Sequence, residues 1–260
     1  MKRLALLLLL GAAPPVAAQT ASPACPPAPQ VFPLAPPDGP LRFTIETDRP
    51  AKSGGMRRFA LEYRVQFHAV GRGHGMTATL VRIDTPDDMA AGSAMTAIFK
   101  PMVGRPLEFF YDANARTLLL RKAEGEALWK LLADEMVARA ATAKPGEARD
   151  VAAMLLGLPV GQREAMLFAD LGQILNFAGR SPGTELRRHP AEPGDGCRTV
   201  RLAGNEGWTH GGPGYYSDTV WLVDVETGLV REQREDVTQV TEAAGKPLLV
   251  ARTVRRLTPE

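Results

Sequence analysis

The side chains best suited to bind a metal or to act as nucleophile and base are four histidines and two cysteines, and their spacing assembles neither kind of site. His68 falls on the polar side of an alternating segment, where an imidazole meets water or a cross-strand partner. His74 sits inside Gly71-Arg72-Gly73-His74-Gly75, and His189 precedes Pro190. No H-E-x-x-H or C-x-x-C spacing brings ligands together, so no metal site is expected. Gly71, Gly73 and Gly75 fail the dinucleotide pattern because position 76 is Met, and Ala51-Lys52-Ser53 lacks the first glycine of a phosphate loop. Asp224 and Glu226 form a carboxylate pair, but beside a turn, where acids are ordinary. No catalytic residue and no cofactor are expected.

His210-Gly211-Gly212-Pro213-Gly214 resembles the oxyanion-hole segment of proline-iminopeptidase-like α/β-hydrolases, whose backbone N–H groups stabilise a tetrahedral oxyanion. That chemistry needs a G-x-S-x-G elbow and a later histidine. After Gly214 the chain has only Ser217, in no such elbow, and no histidine. The same region is rich in aromatics. Residues 207–221 hold Trp208, Tyr215, Tyr216 and Trp221 among Gly207, Gly211, Gly212 and Gly214. A Gly-rich loop carrying aromatics would form an adaptable rim for a ligand or partner, with Trp208, His210, Tyr215 and Tyr216 as its candidates. The alternative is that Trp221 belongs to a core strand and Trp208 plugs the end of a sheet.

The elements that would position this rim are mostly strands. Phe59, Leu61, Tyr63, Val65 and Phe67 alternate with Arg58, Glu62, Arg64, Gln66 and His68, the pattern of an antiparallel strand with one wet face. A glycine hairpin leads to a second strand over 76–84. Further strands are expected at 41–47, 106–111, 116–121, 197–203, 218–226 and 247–257, and a short helix over 87–100. Segment 229–240 is polar on both faces and reads as a solvated edge or rim. Glu226-Thr227-Gly228 supplies the turn before it.

Between the two blocks of strands lies a helical insert, 124–178. Leu128, Leu131, Leu132 and Met136 recur at helical spacing over 124–143. A second helix is expected from Glu147 to Leu156, and a third over 160–178 with Leu167, Leu171, Ile174, Leu175 and Ala178 on one stripe. Helices with a single apolar face must pack on something broader, and the partner available is the sheet. The expected fold class is therefore α+β: a curved antiparallel sheet, an unclosed half-barrel, covered by the helical insert, in a single domain over 41–260.

Residues 1–18 read as a signal peptide: Lys2 and Arg3, an apolar run from Leu4 to Leu10, then small residues at Val16-Ala17-Ala18. An uncleaved anchor is the alternative. The apolar run is too short to span a bilayer, and the protein is not expected to be integral to a membrane. Lys2 and Arg3 account for the whole excess of 31 basic over 29 acidic residues. The exported chain is formally neutral, and without a basic face nucleic acid is not expected as a partner. Residues 19–40 are rich in proline and read as a polyproline-type linker. Cys25 and Cys197 are the only cysteines. In an exported chain their even number favours a disulfide. Lipidation of Cys25 is the competing chemistry, and Ser22-Pro23-Ala24 fits it poorly.

An export signal, long antiparallel strands with a short helix among them, and the hairpin Trp221-Leu222-Val223-Asp224…Thr227-Gly228-Leu229, a D-x-x-T-G-L motif, together resemble the LolA/LolB class of periplasmic lipoprotein carriers. The insert is longer than that class leads one to expect. The resemblance implies an unclosed barrel plugged by helices, an apolar cavity for acyl chains, and a periplasmic or secreted location. The expected function is a non-enzymatic envelope protein that binds an apolar ligand, a lipid or acyl chain, between sheet and helices. The alternatives are a protein–protein module docking an envelope partner through the 207–221 loop, and a hydrolase of a class without a visible motif.

Overall fold

Side-chain alternation decides which face of each strand is buried. In β2 (Met56–Val70), Leu61, Tyr63, Val65 and Phe67 are buried while Arg64 and Gln66 between them are exposed. The computed structural model describes residues 25–27, 29–51, 54–71, 73–85, 96, 99–112, 117–142, 157–179, 181–183, 185–189, 196–209, 214–240 and 247–260. The expected signal peptide, the Glu147–Leu156 helix, most of the 87–100 helix and the run from His210 to Pro213 lie outside them. The remaining strands are β1 (Leu41–Pro50), β3 (Gly73–Asp84), β4 (Pro106–Asp112), β5 (Thr117–Leu120), β6 (Arg187–His189), β7 (Thr199–Thr209), β8 (Gly214–Asp224), β9 (Val230–Val240) and β10 (Leu248–Pro259).

All ten form one unclosed sheet in the order β5-β4-β3-β2-β1-β10-β9-β8-β7-β6, every neighbouring pair antiparallel. The α+β half-barrel expectation fits this. The chain steps outward from β1 to one edge, crosses to the other edge, and steps back until β10 lies beside β1. The crossing contains the two described helices, α1 (Lys122–Thr142) and α2 (Val160–Gln173). Leu128, Trp129 and Leu132 of α1 and Leu167, Phe168 and Leu171 of α2 share a core with Phe43, Tyr63, Met76 and Phe109 of the sheet. Phe109 meets Phe168 edge-on at 5.0 Å, and the Arg163 guanidinium lies over the Trp129 ring at 5.6 Å. The apolar stripe continues past α2 as expected, but over Ile174–Gly179 the chain is in turns, ending on Gly179 at φ 72°.

Two readings need correction. Segment 229–240 is not an edge: β9 is hydrogen-bonded on both sides, to β8 and β10. Its polar pattern arose because side chains report what covers a strand's faces, whereas sheet position is set by its backbone. Residues 207–221 are likewise mostly strand, with Trp208 paired to Tyr215 and Gly207 to Tyr216. The glycines of β7 make room for side chains: a Cβ on Gly207 would stand 3.1 Å from the Tyr216 ring, and one on Gly204 would stand 2.6 Å from Leu186 and 3.4 Å from the Trp221 ring.

The described part of the proline-rich segment, expected as a linker, packs. Cys25 is bonded to Cys197 across a sequence separation of 172, which also settles the chemistry of Cys25. Phe32, at 0 % exposure, fills a second apolar cluster with Phe177, Val200, Leu202, Val223 and Val230. The Ala35 N–H donates to the Thr227 carbonyl at 3.1 Å, and the Gly179 N–H to the Pro33 carbonyl at 3.2 Å. One large side chain, worth roughly 1.5–3 kcal/mol when fully buried, anchors a segment with little other apolar content.

The same corner explains the D-x-x-T-G-L motif. The Asp224 carboxylate, 1 % exposed, accepts the N–H groups of Glu226 at 3.0 Å and Thr227 at 2.9 Å. Gly228 adopts φ 73°, and a Cβ there would run into the Pro33 carbonyl oxygen. On the sheet's outer face the charges pair off instead. Arg58 meets Asp48 at 2.9 Å, Arg64 meets Glu260, Arg256 meets Glu232, and Asp236 is held by Arg252 at 2.7 Å and Arg234 at 2.9 Å. Burial alone would raise the Asp236 carboxyl, but the hydrogen bonds and charges of these two arginines outweigh it and hold the group below its ordinary value.

Gly228→Ala, strained at its φ and blocked by Pro33, lowers stability by about 2 kcal/mol or more in urea unfolding. Gly161→Ala in α2, with nothing within 4 Å of the added Cβ, changes it by about 0.5 kcal/mol in the opposite direction. Because the Asp236 carboxyl is depressed in the folded state, its stabilisation is complete above the unfolded value of about 4 and is lost as pH falls through the folded value. The drop in urea midpoint between about pH 6 and about pH 3 is therefore smaller for Asp236→Asn than for the parent chain.

Candidate ligand cleft

Strand register places a polar field on the inner sheet face beyond the reach of the apolar core. One cross-strand row runs Leu202–Trp221–Gln233–Arg255, and from Arg255 continues to Ile45 and Leu61. The next runs Gly204–Thr219–Glu235–Thr253, and Glu206 pairs with Ser217 beyond it. The first row turns apolar at Ile45 and Leu61, and the second passes through Thr47 before reaching Phe59.

Trp221, Gln233 and Arg255 of the first row, Gly204, Thr219 and Glu235 of the second, and Glu206 and Ser217 line a cleft of about 610 Å³ with Glu185, Leu186, Asn205, Trp208 and Gln173. A smaller cavity of about 250 Å³ shares Glu185, Leu186 and Trp221 with it and continues past Phe177 and Pro182. Its floor is a connected network. Arg255 Nε donates to Asp170 of α2 at 2.7 Å and Arg255 Nη1 donates to Glu235 at 3.2 Å. Ser217 Oγ donates to the other Glu235 oxygen at 3.1 Å and lies 3.3 Å from the Thr219 hydroxyl. The Arg255 side chain is 13 % exposed, so this ion pair ties α2 to the sheet in a partly dry setting. Above the same region, burial and the nearby Asp170 charge push the Tyr63 phenol well up from its usual value.

Of the three buried side-chain polar atoms without a hydrogen-bond partner among the described residues, two are here, Gln233 Oε1 and Trp221 Nε1; the third is Trp129 Nε1 on α1. Gln233 is only 4 % exposed. An unmade hydrogen bond on such a group costs about 1–3 kcal/mol, so a folded chain keeps one for a reason. The indole of Trp221 packs edge-on against Phe177 at 5.6 Å, and Gly204 leaves the space beside it.

The expected rim residues separate. Trp208 and Tyr215 stack at 5.9 Å with an interplanar angle of 13°, on the cleft face, and the Gln239 amide donates to the Tyr215 hydroxyl at 3.3 Å. Trp208 remains 42 % exposed at the mouth. Tyr216, next along β8, points to the opposite face and is 52 % exposed. His210 lies outside the described residues. Sequence reading missed Gln233, Glu235, Ser217, Thr219 and Arg255. The available signal was a strand polar on both faces, a pattern that fits a sheet face lining a polar cleft as well as it fits an edge. The expected apolar pocket between sheet and helices is a different place: there Phe168, Leu171 and Leu132 meet Tyr63 and Phe109 as core side chains.

No helix among the described residues is long and apolar enough to cross a membrane. No family model matches the chain, and no curated protein matches it. Among solved structures, a LolA superfamily protein from Nitrosomonas europaea aligns with 86 % of this chain and 86 % of its own, at 5 % sequence identity and a TM-score of 0.19, a weak likeness at the level of the fold.

Proposed function

We propose that this chain is an exported, non-catalytic envelope protein that binds a small amphiphile of lipid or acyl-chain type in the cleft across β7, β8 and β9. The observation that carries the reading is the Gln233 carbonyl oxygen, buried and unpartnered, in the floor of an open cleft. A ligand donor seated there recovers the missing hydrogen bond, and Trp221, Leu186, Phe177 and Pro182 offer an apolar track for the rest of the molecule. Catalysis is the weaker reading of the same residues. Ser217 donates to a carboxylate whose other oxygen is held by Arg255, and no histidine or lysine is among the described lining to serve as its base. Location in the envelope follows from the sequence features of export and accords with the Cys25–Cys197 bond.

A second reading, docking of an envelope protein, draws on the exposure of Trp208 and Tyr216. It requires that Trp208→Ala abolish co-purification of a partner without shifting the melting temperature.

Titration with twelve-carbon amphiphiles of differing head group, followed by tryptophan fluorescence, tests the cleft. Saturable binding is expected, weakened roughly tenfold by Gln233→Leu, whose melting temperature stays at or above that of the parent. Absence of saturable binding for every head group, or equal affinity in Gln233→Leu, overturns the reading.

A further inference from the structure

We infer that the head group taken by this cleft is a cation, an ammonium or guanidinium, and that phosphate, sulfate and carboxylate heads are turned away. The inference rests on the cleft being the binding site and adds the chemistry of its occupant.

Charge is the first argument. Glu185, Glu206 and Glu235 line the cleft, and Arg255 is the one cationic residue among its described lining. That guanidinium is already committed, to Asp170 at 2.7 Å and Glu235 at 3.2 Å, so it offers an incoming anion little. The three charges of this cluster sum to minus one. Glu185 and Glu206 have no ion-pair partner among the described residues, and they bring the local total to minus three. A cleft walled by apolar surface concentrates such a field, attracting cations and repelling anions.

Hydrogen bonding is the second argument, independent of charge. Gln233 Oε1 is an acceptor without a donor, and the side chain that carries it is 4 % exposed in the cleft floor. An ammonium brings three donors, whereas a deprotonated anionic head brings none. The aromatic lining adds to this, since the faces of Trp208 and Trp221 favour a cation over an anion. The unpartnered Trp221 Nε1 is a donor, and it matches a hydroxyl or carbonyl oxygen carried next to the charged nitrogen.

The test uses the full exported chain and three probes of equal tail: dodecylamine, dodecyl maltoside and dodecyl sulfate, each below its micellar range. Tryptophan fluorescence and thermal shift report binding. Dodecylamine is expected to bind roughly tenfold or more tighter than dodecyl sulfate. Raising ionic strength from about 0.05 M to about 0.5 M weakens the amine and leaves the maltoside unchanged. The double variant Glu185→Gln, Glu206→Gln lowers the preference for amine over maltoside several-fold. Both glutamates are exposed, so its melting temperature stays close to that of the parent. Binding of the sulfate as tightly as the amine, or an amine preference unmoved by the double variant, overturns the inference while any Gln233→Leu-sensitive binding keeps the cleft as the site. Failure of all three probes overturns the site and the cation together.

Discussion

The first and last strands of the fold lie side by side, paired from Leu41 opposite Pro259 to Asp48 opposite Arg252, and most of the architecture depends on that pairing. It joins two meanders into one sheet and leaves β5 and β6, consecutive in the chain, at opposite edges. Nine steps of about 4.8 Å put those edges about 43 Å apart measured along the sheet. The segment between them has to travel that distance over one face. Helix α1, at 21 residues, is about 31 Å long, so a helical crossing is a natural way to do it. Its cover is uneven. The described helices lie on the apolar half contributed by β1 to β5, whereas β7 to β9 are covered at one end only, by Phe32 and Phe177.

Division of labour along single cross-strand rows is the result. Where helices cover the sheet, the row that contains Arg255 continues as Ile45 and Leu61; where they do not, it reads Gln233 and Trp221. Arg255 stands at the boundary and binds one charge on each side, Asp170 on the helix and Glu235 on the sheet. A partly buried pair of this kind adds little to stability compared with an apolar substitute, but it ties the covering helix to the sheet at this boundary. The outer face has no such boundary. Its arginines and acids pair with one another, most of them across neighbouring strands, and such exposed pairs add little to stability.

Local pattern made part of this legible. Alternation in β2, the stripe from Leu167 to Ala178, the turn at Thr227-Gly228 and the Cys25–Cys197 bond all follow from neighbours in sequence or from counting, and each is present in the structure. What was not legible depends on partners remote in the chain. The interior position of β9 is a property of backbone hydrogen bonds to β8 and β10, which side-chain polarity does not encode. Glycines in β7 looked like loop residues because the rings they accommodate, Tyr216 and Trp221, come from the next strand. Phe32 looked like part of a spacer because its cluster is assembled from residues 177 to 230. The cleft escaped for the same reason: Glu206, Ser217 and Glu235 become neighbours only once three strands are in register.

That dependence bears on the order of events in synthesis. The Phe32 segment leaves the ribosome early, yet everything that receives it, from Phe177 and Val200 to Thr227 and Cys197, is made in the last third of the chain. β1 likewise waits for β10. A nascent chain therefore has no route to its finished state until its final residues are available, so closing the sheet and docking the Phe32 segment are both late events.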